Sequence, residues 1–237
     1  AGYQRDFAGP PAAGWSYSWN ENGEIGTAAN YSSYTYNGSY YDFDGVNNGL
    51  PDAEPSGYGN LGAGGGHAGR GSGQAQSGGI DRYVIAGYTI SEAGVYEVTD
   101  SYATNTNSGC GNGIAVRLYV NDTLLTNVDS GNGSTANFDM RLGALNAGDT
   151  IYAALGPESQ DGCDSFAWDF NIQRTTIPQI SVNSSTGALG AAVTVNPDGS
   201  VHYDPTACTT LQALPRGQNS VDTFSYTITD AGGRTAT

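Results

Sequence analysis

The chain has 237 residues, among them 36 glycines and 16 tyrosines, and only 13% of its residues are charged. Eight arginines oppose 23 acidic residues, which gives a formal charge of -15, and lysine is absent. This balance excludes lysine Schiff-base and Walker-lysine chemistry and argues against nucleic acid or anionic membranes as partners.

The composition also bounds the fold. Abundant glycine and tyrosine favour many short strands joined by turns, and the length allows two domains that each bury a core. No apolar run reaches the roughly 18 residues of a membrane span, so membrane insertion is not expected. We predict an all-β chain with one domain over residues 1–174 and a second over residues 175–237.

Trp15, Tyr17 and Trp19 alternate with serine near the N-terminus. In a strand the three rings would share one face. Such a row either fills the core of a sandwich or forms a platform on which sugar rings stack, and burial is the commoner outcome for large rings. We favour the core, and we keep Trp15 and Trp19 as candidate ligand-binding residues.

A second aromatic run lies among serine, threonine and glycine rather than among aliphatic residues. Because these rings have little apolar company to bury with, several are expected at a contact surface. Ligand binding and simple surface exposure fit the pattern equally well. The candidate binding residues of this run are Tyr31, Tyr34, Tyr36 and Tyr40.

Residues 42–54 collect carboxylate and amide oxygens around a glycine turn, and calcium prefers such oxygens. The stretch resembles the acidic calcium loops of thrombospondin-type repeats, but Tyr40 stands where that motif has its first ligand. An Asx-rich turn without metal is the alternative. The predicted calcium ligands are Asp42, Asp44, Asn48 and Asp52.

Residues 57–79 contain eleven glycines and the histidine His67. The composition predicts a long loop, either a surface loop or the rim of a binding site. A phosphate-binding loop is excluded, because no Gly-Lys-Ser/Thr sequence follows.

The next hundred residues alternate clearly between apolar and polar side chains. Strands are predicted over residues 81–90, 94–100, 114–120, 138–142, 149–155 and 166–172, with a hairpin turn at Asn121 and Asp122. Residues 142–172 resemble the closing strands of jelly-roll modules attached to secreted bacterial proteins, many of which bind carbohydrate. The resemblance implies a jelly-roll-like β-sandwich over residues 1–174.

Cys110 and Cys163 both lie in polar, glycine-rich turns that a sandwich could bring together at one end. We predict a disulfide between them, worth about 4 kcal/mol for a loop of this length, and therefore an oxidising, extracellular setting. Two unrelated buried cysteines are the alternative. Cys208 then remains outside the pair.

The C-terminal region begins with a hairpin that turns at residues 197–199, followed by a strand in which Phe224, Tyr226 and Ile228 share a face. These residues resemble bacterial cadherin-like repeats of the VCBS type, found on secreted adhesins and polysaccharide-degrading enzymes. The resemblance implies a partial cadherin-like sandwich over residues 175–237. Such repeats usually act as spacers.

Catalysis is not indicated, because His67 and His202 fall in different predicted domains and neither adjoins a nucleophile motif. The prediction is a non-catalytic, secreted bacterial binding or adhesion module that is stabilised by calcium and binds a polysaccharide or cell-surface glycan. One alternative is a subunit that polymerises with copies of itself, residues 1–14 adding as a strand along residues 225–229 of a neighbour. The other is a polysaccharide-degrading enzyme domain.

Overall fold

The computed structural model describes residues 1–42, 59–70, 81–160, 162–175, 179–196, 199–229 and 235–237. The chain forms two compact units, Ala1–Gln173 and Arg174–Thr237. Strands greatly outnumber helices among the described residues, so the predicted all-β class is confirmed.

Helix is confined to short turns in the described part of the chain. These are the helices α1 (Tyr3–Asp6) and α2 (Thr209–Gln212) and a 3-10 turn at Ala28–Asn30. No helix within the described residues is long and apolar enough to cross a membrane.

The strands that begin in the N-terminal unit are numbered in chain order. They are β1 (Trp15–Trp19), β2 (Ser32–Ser33), β3 (Thr35–Tyr36), β4 (Tyr40–Asp42), β5 (Asn60–Gly62), β6 (Gly65–His67), β7 (Gly69–Arg70), β8 (Asp81–Arg82), β9 (Val84–Thr89), β10 (Gly94–Val98), β11 (Tyr102–Asn105), β12 (Ile114–Val120), β13 (Thr123–Ser130), β14 (Thr135–Asn137), β15 (Met140–Leu145), β16 (Thr150–Gly156), β17 (Ser165–Asp169) and β18 (Ile172–Thr175).

Two large sheets face each other across one core. The first has the order β13-β12-β16-β9-β1-β2 and the second β14-β11-β17-β6-β5-β4-β3, while β15-β10-β18 and β7-β8 form smaller sheets. Leu118 and Leu155 from the first sheet and Phe166 and Trp168 from the second belong to a single buried cluster. The N-terminal unit is therefore a β-sandwich whose inner faces supply the core.

The strand predictions for residues 81–172 hold to within a few residues, because alternation there is strict. The predicted hairpin is present, with Val120 paired to Thr123 across the turn. A strand with one buried face repeats its apolar side chains every second residue, so the pattern determines which residues face the core.

An unbroken series of aromatic contacts, which we call the aromatic stack, runs from the centre of the core to its edge. Its rings belong to Trp168, Tyr3, Tyr17, Tyr41 and Tyr36, and successive ring centroids are 4.4, 5.8, 4.5 and 5.0 Å apart. Tyr36 lies on β3, the last strand of its sheet, so the stack ends at the surface.

The N-terminal residues are part of this core. The amino group of Ala1 donates to the carbonyl of Ile172 at 2.8 Å, and the amide of Tyr3 donates to the carbonyl of Phe170 at 2.8 Å. Tyr3 is completely buried. The first three residues are thus held against their own unit, whereas residues 8–11 are exposed.

The glycine-rich region contains strands where the composition predicted a loop, so that prediction is wrong for residues 60–62, 65–67 and 69–70. A Cβ on Gly65 would lie 2.2 Å from the carbonyl oxygen of Phe166, and one on Gly66 would lie 2.2 Å from that of Asn60. At these two positions glycine is required by close backbone approach within a sheet.

The C-terminal unit contains two small sheets. Its strands are β19 (Gln179–Val182), β20 (Ala192–Val195), β21 (Val201–Asp204), β22 (Tyr226–Thr229) and β23 (Thr235–Ala236). The predicted β20–β21 hairpin is present, and the other sheet has the order β19-β22-β23. The buried apolar side chains described in this unit are those of Ala191, Val193 and Cys208, so its core is small.

The sheet topology limits the part of residues 225–229 that could accept an added strand. Strand β22 lies between β19 and β23 and is not an edge. Its residues pair with Gln179–Val182 on one side, and Ile228 and Thr229 pair with Ala236 and Thr235 on the other. The proposed acceptor strand is therefore paired along one side and, on the other, at Ile228 and Thr229, while residues 8–11 of the proposed donor segment are exposed.

Replacing Trp168 by alanine should lower the free energy of unfolding by about 3–5 kcal/mol, because it leaves a large cavity where the sheets meet. Chemical denaturation followed by tryptophan fluorescence measures this loss. The control is Leu124→Ala, which lies outside the stack and is 50% exposed, and it should cost no more than about 1 kcal/mol. A loss of less than about 1 kcal/mol for Trp168→Ala would contradict the central role of this ring in the packing between the two sheets.

Candidate functional site

Strand register separates the two ends of the N-terminal sandwich. The longer connections, residues 20–31, 106–113 and 157–164, leave the strands at one end, which we call the loop end. The opposite end, the turn end, carries short reversals such as residues 37–39 and 121–122. The loops and turns of a β-sandwich often carry its binding residues, so a binding site could lie at either end.

The loop end is cross-linked. Cys110 and Cys163 form the predicted disulfide, which is confirmed, and it joins the 106–113 loop to the 157–164 loop. The side-chain amides of Asn105 and Asn107 both donate to the carbonyl of Cys163, at 3.3 and 2.9 Å. A Cβ on Gly111 would lie 2.3 Å from the carbonyl oxygen of Gly162, so these loops touch along their backbones. Cys208 is buried and outside the pair, as expected.

Trp15 and Trp19 are core residues. Both side chains are almost completely buried, and Trp15 packs edge-on against Phe170 with the ring centroids 5.9 Å apart. The structure therefore favours the core interpretation of β1 over a sugar platform. The outer side of Trp19 is covered by the Arg82 guanidinium, 5.7 Å from the ring centroid.

The four candidate tyrosines do not share one surface. Tyr34 is only 7% exposed, so its expected exposure is wrong; its amide donates to the carbonyl of Tyr17 at 3.0 Å, which holds this segment along β1 and turns the ring inward. Tyr31 is half-buried and packs edge-on against Tyr152 at 5.4 Å between centroids. Burial raises the pKa of Tyr31 to about 12.

Tyr36 is the most exposed of the four, at 36%. A Cβ on Gly9 would lie 2.0 Å from its Cδ1 atom, so the ring lies directly against the backbone of residue 9. Tyr41 supports it from the core side, and the Tyr41 hydroxyl in turn donates to the carbonyl of Ala8. The ring is therefore fixed in place while part of its surface faces solvent.

The turn beside this ring is fixed by one side chain. The Oδ1 atom of Asn37 accepts hydrogen bonds from the amides of Ser39 and Tyr40, both at 3.0 Å. Its Nδ2 atom donates to Oδ2 of Asp42 at 2.7 Å. Tyr40, the fourth candidate, is half-buried on the other side of the turn. We call Tyr36 and the 37–40 turn the Tyr36 surface.

One of the four predicted calcium ligands lies within the described residues. Asp42 is buried at the end of β4, whereas Asp44, Asn48 and Asp52 lie outside the described residues. Among the residues that the structure describes, no three His, Cys, Asp or Glu side chains are grouped so as to hold a metal ion. Calcium binding stays a prediction from the sequence.

Comparison with known proteins gives few matches. No protein-family model matches the chain, and neither does any curated protein. Among solved structures, a family 35 carbohydrate-binding module from an environmental isolate is 19% identical, with a TM-score of 0.29 over 48% of this chain and 83% of its own. Xyl-CBM35 in complex with a disaccharide containing glucuronic acid is 12% identical, with a TM-score of 0.30 over 58% of this chain and 88% of its own. Scores this low carry no argument about function.

Calcium should raise the melting temperature of metal-stripped protein, because a divalent cation removes the repulsion among the clustered carboxylates of residues 42–54. Differential scanning calorimetry with calcium, magnesium or chelator measures the effect. Asp42→Asn should abolish the calcium-dependent shift, whereas Asp100→Asn, at an exposed position on another loop, should retain it. Superimposable curves with calcium and with chelator would contradict the prediction.

Proposed function

We propose that the protein is a non-catalytic, extracellular glycan-binding module that holds a neutral sugar against the open face of Tyr36. The observation that carries this proposal is a partly exposed aromatic ring that is immobilised by Gly9 and Tyr41. The structural similarity to the family 35 carbohydrate-binding modules is too low to support a function.

A fixed aromatic ring suits a sugar ligand for two physical reasons. The C–H face of a pyranose is apolar and packs well on an aromatic face. A ring that is already immobile loses little conformational entropy on binding, so more of the contact energy appears as affinity. The adjoining turn offers backbone groups and the hydroxyl of Ser39 for hydrogen bonds to sugar hydroxyls.

The negative charge of the chain favours neutral polysaccharides over anionic ones as ligands. The chain has a formal charge of -15, which repels uronate-rich or sulfated polymers over several ångströms at physiological salt. Neutral polysaccharides escape this repulsion. The disulfide at the loop end favours an oxidising compartment, which supports an extracellular location.

Tyr36→Ala should weaken retention on neutral polysaccharide by about tenfold or more, because it removes the stacking face. Affinity electrophoresis through gels containing xylan, glucomannan or hydroxyethyl cellulose measures the retention. Tyr36→Phe keeps the ring and should bind like the wild type.

The matched control for this experiment is Tyr203→Ala, which removes an equally exposed tyrosine from the other unit, also 36% exposed. Its retention should be unchanged. If Tyr36→Ala is retained as strongly as the wild type on a gel that holds the wild type, the Tyr36 surface is not the glycan site.

A second candidate function is association of the C-terminal unit with a second copy of itself. In the described part of the chain seven large hydrophobic side chains are exposed, and five of them belong to this unit. Three are adjacent aromatic rings, Tyr203, Phe224 and Tyr226, whose successive centroids lie 6.2 and 6.4 Å apart. Exposed aromatic clusters of this kind are typical of protein interfaces.

Charge supports a second copy as the occupant of this aromatic cluster. Residues 174–237 contain three arginines and four aspartates, so almost all of the negative charge of the chain lies in the other unit. Two C-terminal units can therefore approach without strong repulsion. This association would be between faces and does not use strand addition.

The double substitution Phe224→Ser and Tyr226→Ser should abolish concentration-dependent association, because it removes two of the three rings. Sedimentation velocity from low to high micromolar concentration measures the association. Tyr36→Ala serves as the control and should associate like the wild type. A wild-type protein that stays monomeric over the whole range would overturn this second candidate.

A further inference from the structure

Asparagine followed by glycine is a chemically reactive pair. The backbone nitrogen of the glycine can attack the side-chain carbon Cγ of the asparagine, which closes a succinimide ring and releases ammonia. Water then opens the ring and leaves aspartate or isoaspartate in place of asparagine. The described part of the chain contains four such pairs, Asn22–Gly23, Asn37–Gly38, Asn112–Gly113 and Asn132–Gly133.

The space around the glycine distinguishes Asn37–Gly38 from the other pairs. Ring closure changes the backbone at the glycine, so the surrounding atoms must leave room for it. A Cβ built on the glycine would meet another atom at 2.7, 2.1 and 2.9 Å at Gly23, Gly113 and Gly133. Among the described residues, none besides its chain neighbours has an atom within 4 Å of that position at Gly38. Gly38 is also exposed.

The hydrogen bonds of Asn37 favour the attack on its side chain. Its Oδ1 atom accepts hydrogen bonds from the amides of Ser39 and Tyr40, both at 3.0 Å. Negative charge develops on Oδ1 as the nitrogen of Gly38 attacks Cγ, and backbone N–H groups at this distance stabilise such charge in oxyanion holes. The attacking nitrogen belongs to the next residue, so no encounter between molecules is needed.

The chain offers a matched comparison, because residues 132–134 repeat the tripeptide Asn-Gly-Ser of residues 37–39. The described hydrogen bond of the Asn132 side chain is donated by Nδ2, to the carbonyl of Gly111 at 2.8 Å. This bond involves the nitrogen of the side-chain amide and places no donor on Oδ1. The same local sequence therefore lies in a setting that is both more crowded and less activating.

Conversion of Asn37 would disrupt its turn. The Nδ2 atom donates to Oδ2 of Asp42 at 2.7 Å, and Asp42 is only 3% exposed. Replacing this nitrogen by a carboxylate oxygen sets two carboxylates at hydrogen-bond distance, where like charges repel. The 37–40 turn would then lose its side-chain contact with β4 beside the ring of Tyr36.

We propose that Asn37–Gly38 is a self-modifying site, whose conversion to aspartate or isoaspartate opens the 37–40 turn and lowers the affinity of the Tyr36 surface for glycan. In the first step the bond from the Gly38 nitrogen to Cγ forms and the Cγ–Nδ2 bond breaks. The amide proton of Gly38 passes to solvent, and Nδ2 takes up a proton and leaves as ammonia.

In the second step water adds across one C–N bond of the ring, so the net reaction turns asparagine and water into aspartate and ammonia. The loss of glycan affinity rests on the proposed function. The conversion itself and the opening of the turn do not depend on it.

Peptide mapping of the intact protein measures the conversion. During incubation at mildly alkaline pH, aspartate and isoaspartate should accumulate at position 37 about tenfold faster than at position 132, because only Asn37 combines open space with two N–H donors on Oδ1. Gly38→Ala should slow the reaction at position 37 and leave position 132 unchanged, because a Cβ hinders the attacking nitrogen. A wild type that converts position 37 no faster than position 132 would overturn the self-modifying site.

Hydrogen exchange followed by NMR, in the presence of a chelator, measures the opening of the turn. The amides of Ser39 and Tyr40 should exchange severalfold faster in Asn37→Asp than in the wild type, and Asn132→Asp is the matched control that should leave them unchanged. Adding Asp42→Asn to Asn37→Asp should slow the exchange again, because the amide introduced at position 42 can donate to the new carboxylate. Unchanged exchange in Asn37→Asp would overturn the predicted opening.

Affinity electrophoresis of the same variants separates this inference from the proposed function. Retention on a neutral polysaccharide that holds the wild type should fall in Asn37→Asp and stay unchanged in Asn132→Asp. Faster exchange with unchanged retention would contradict the Tyr36 surface as the glycan site, and not the modification of Asn37. If Asn37→Asp fails to fold, the wild type after incubation replaces it, and unchanged exchange in its converted fraction counts against the opening.

Discussion

The aromatic packing between the two sheets is the interaction on which the N-terminal unit depends. Tyr3 has no solvent exposure and contacts Trp15, Tyr17 and Trp168, so one ring near the chain start joins residues from both large sheets. Large rings bury far more apolar surface than the small side chains elsewhere in a glycine-rich chain. They supply the core that composition alone would leave weak.

The same packing determines what the surface can do. Because the aromatic stack continues from Trp168 to Tyr36, the exposed ring is an extension of the rigid core and not a mobile side chain. A binding surface supported in this way is organised before the ligand arrives, as in other rigid aromatic sites. The loop end is organised differently, by a disulfide and by the side-chain amides of Asn105 and Asn107, which both donate to the carbonyl of Cys163.

Sequence reasoning succeeded where a single local pattern determines the structure. Strict alternation predicted β12, β16 and β17, and two cysteines in polar turns predicted the disulfide. It failed where tertiary contacts override local composition. Tyr34 is buried although its neighbours are polar, because the segment is held along β1. The glycine-rich sequence around Gly65 and Gly66 predicts a loop, but both residues pack against the backbone of neighbouring strands within a sheet.

Other features left no local signal at all. The hydrogen bond from Ala1 to Ile172 joins positions 171 residues apart, and no local pattern in the first residues predicts it. Among the aromatic candidates, Tyr36 could be named from sequence, but its support by Gly9 and Tyr41 could not.

The central claim is that a neutral sugar binds on the ring of Tyr36. The most direct test is an amide and aromatic NMR titration of the intact protein with xylohexaose, mannohexaose and cellohexaose. At least one of these sugars should shift the ring resonances of Tyr36 and the amides of residues 37–40, with little change at Ser159 or Gln160. Shifts that avoid the Tyr36 surface and concentrate elsewhere, with any of the three sugars, would contradict it.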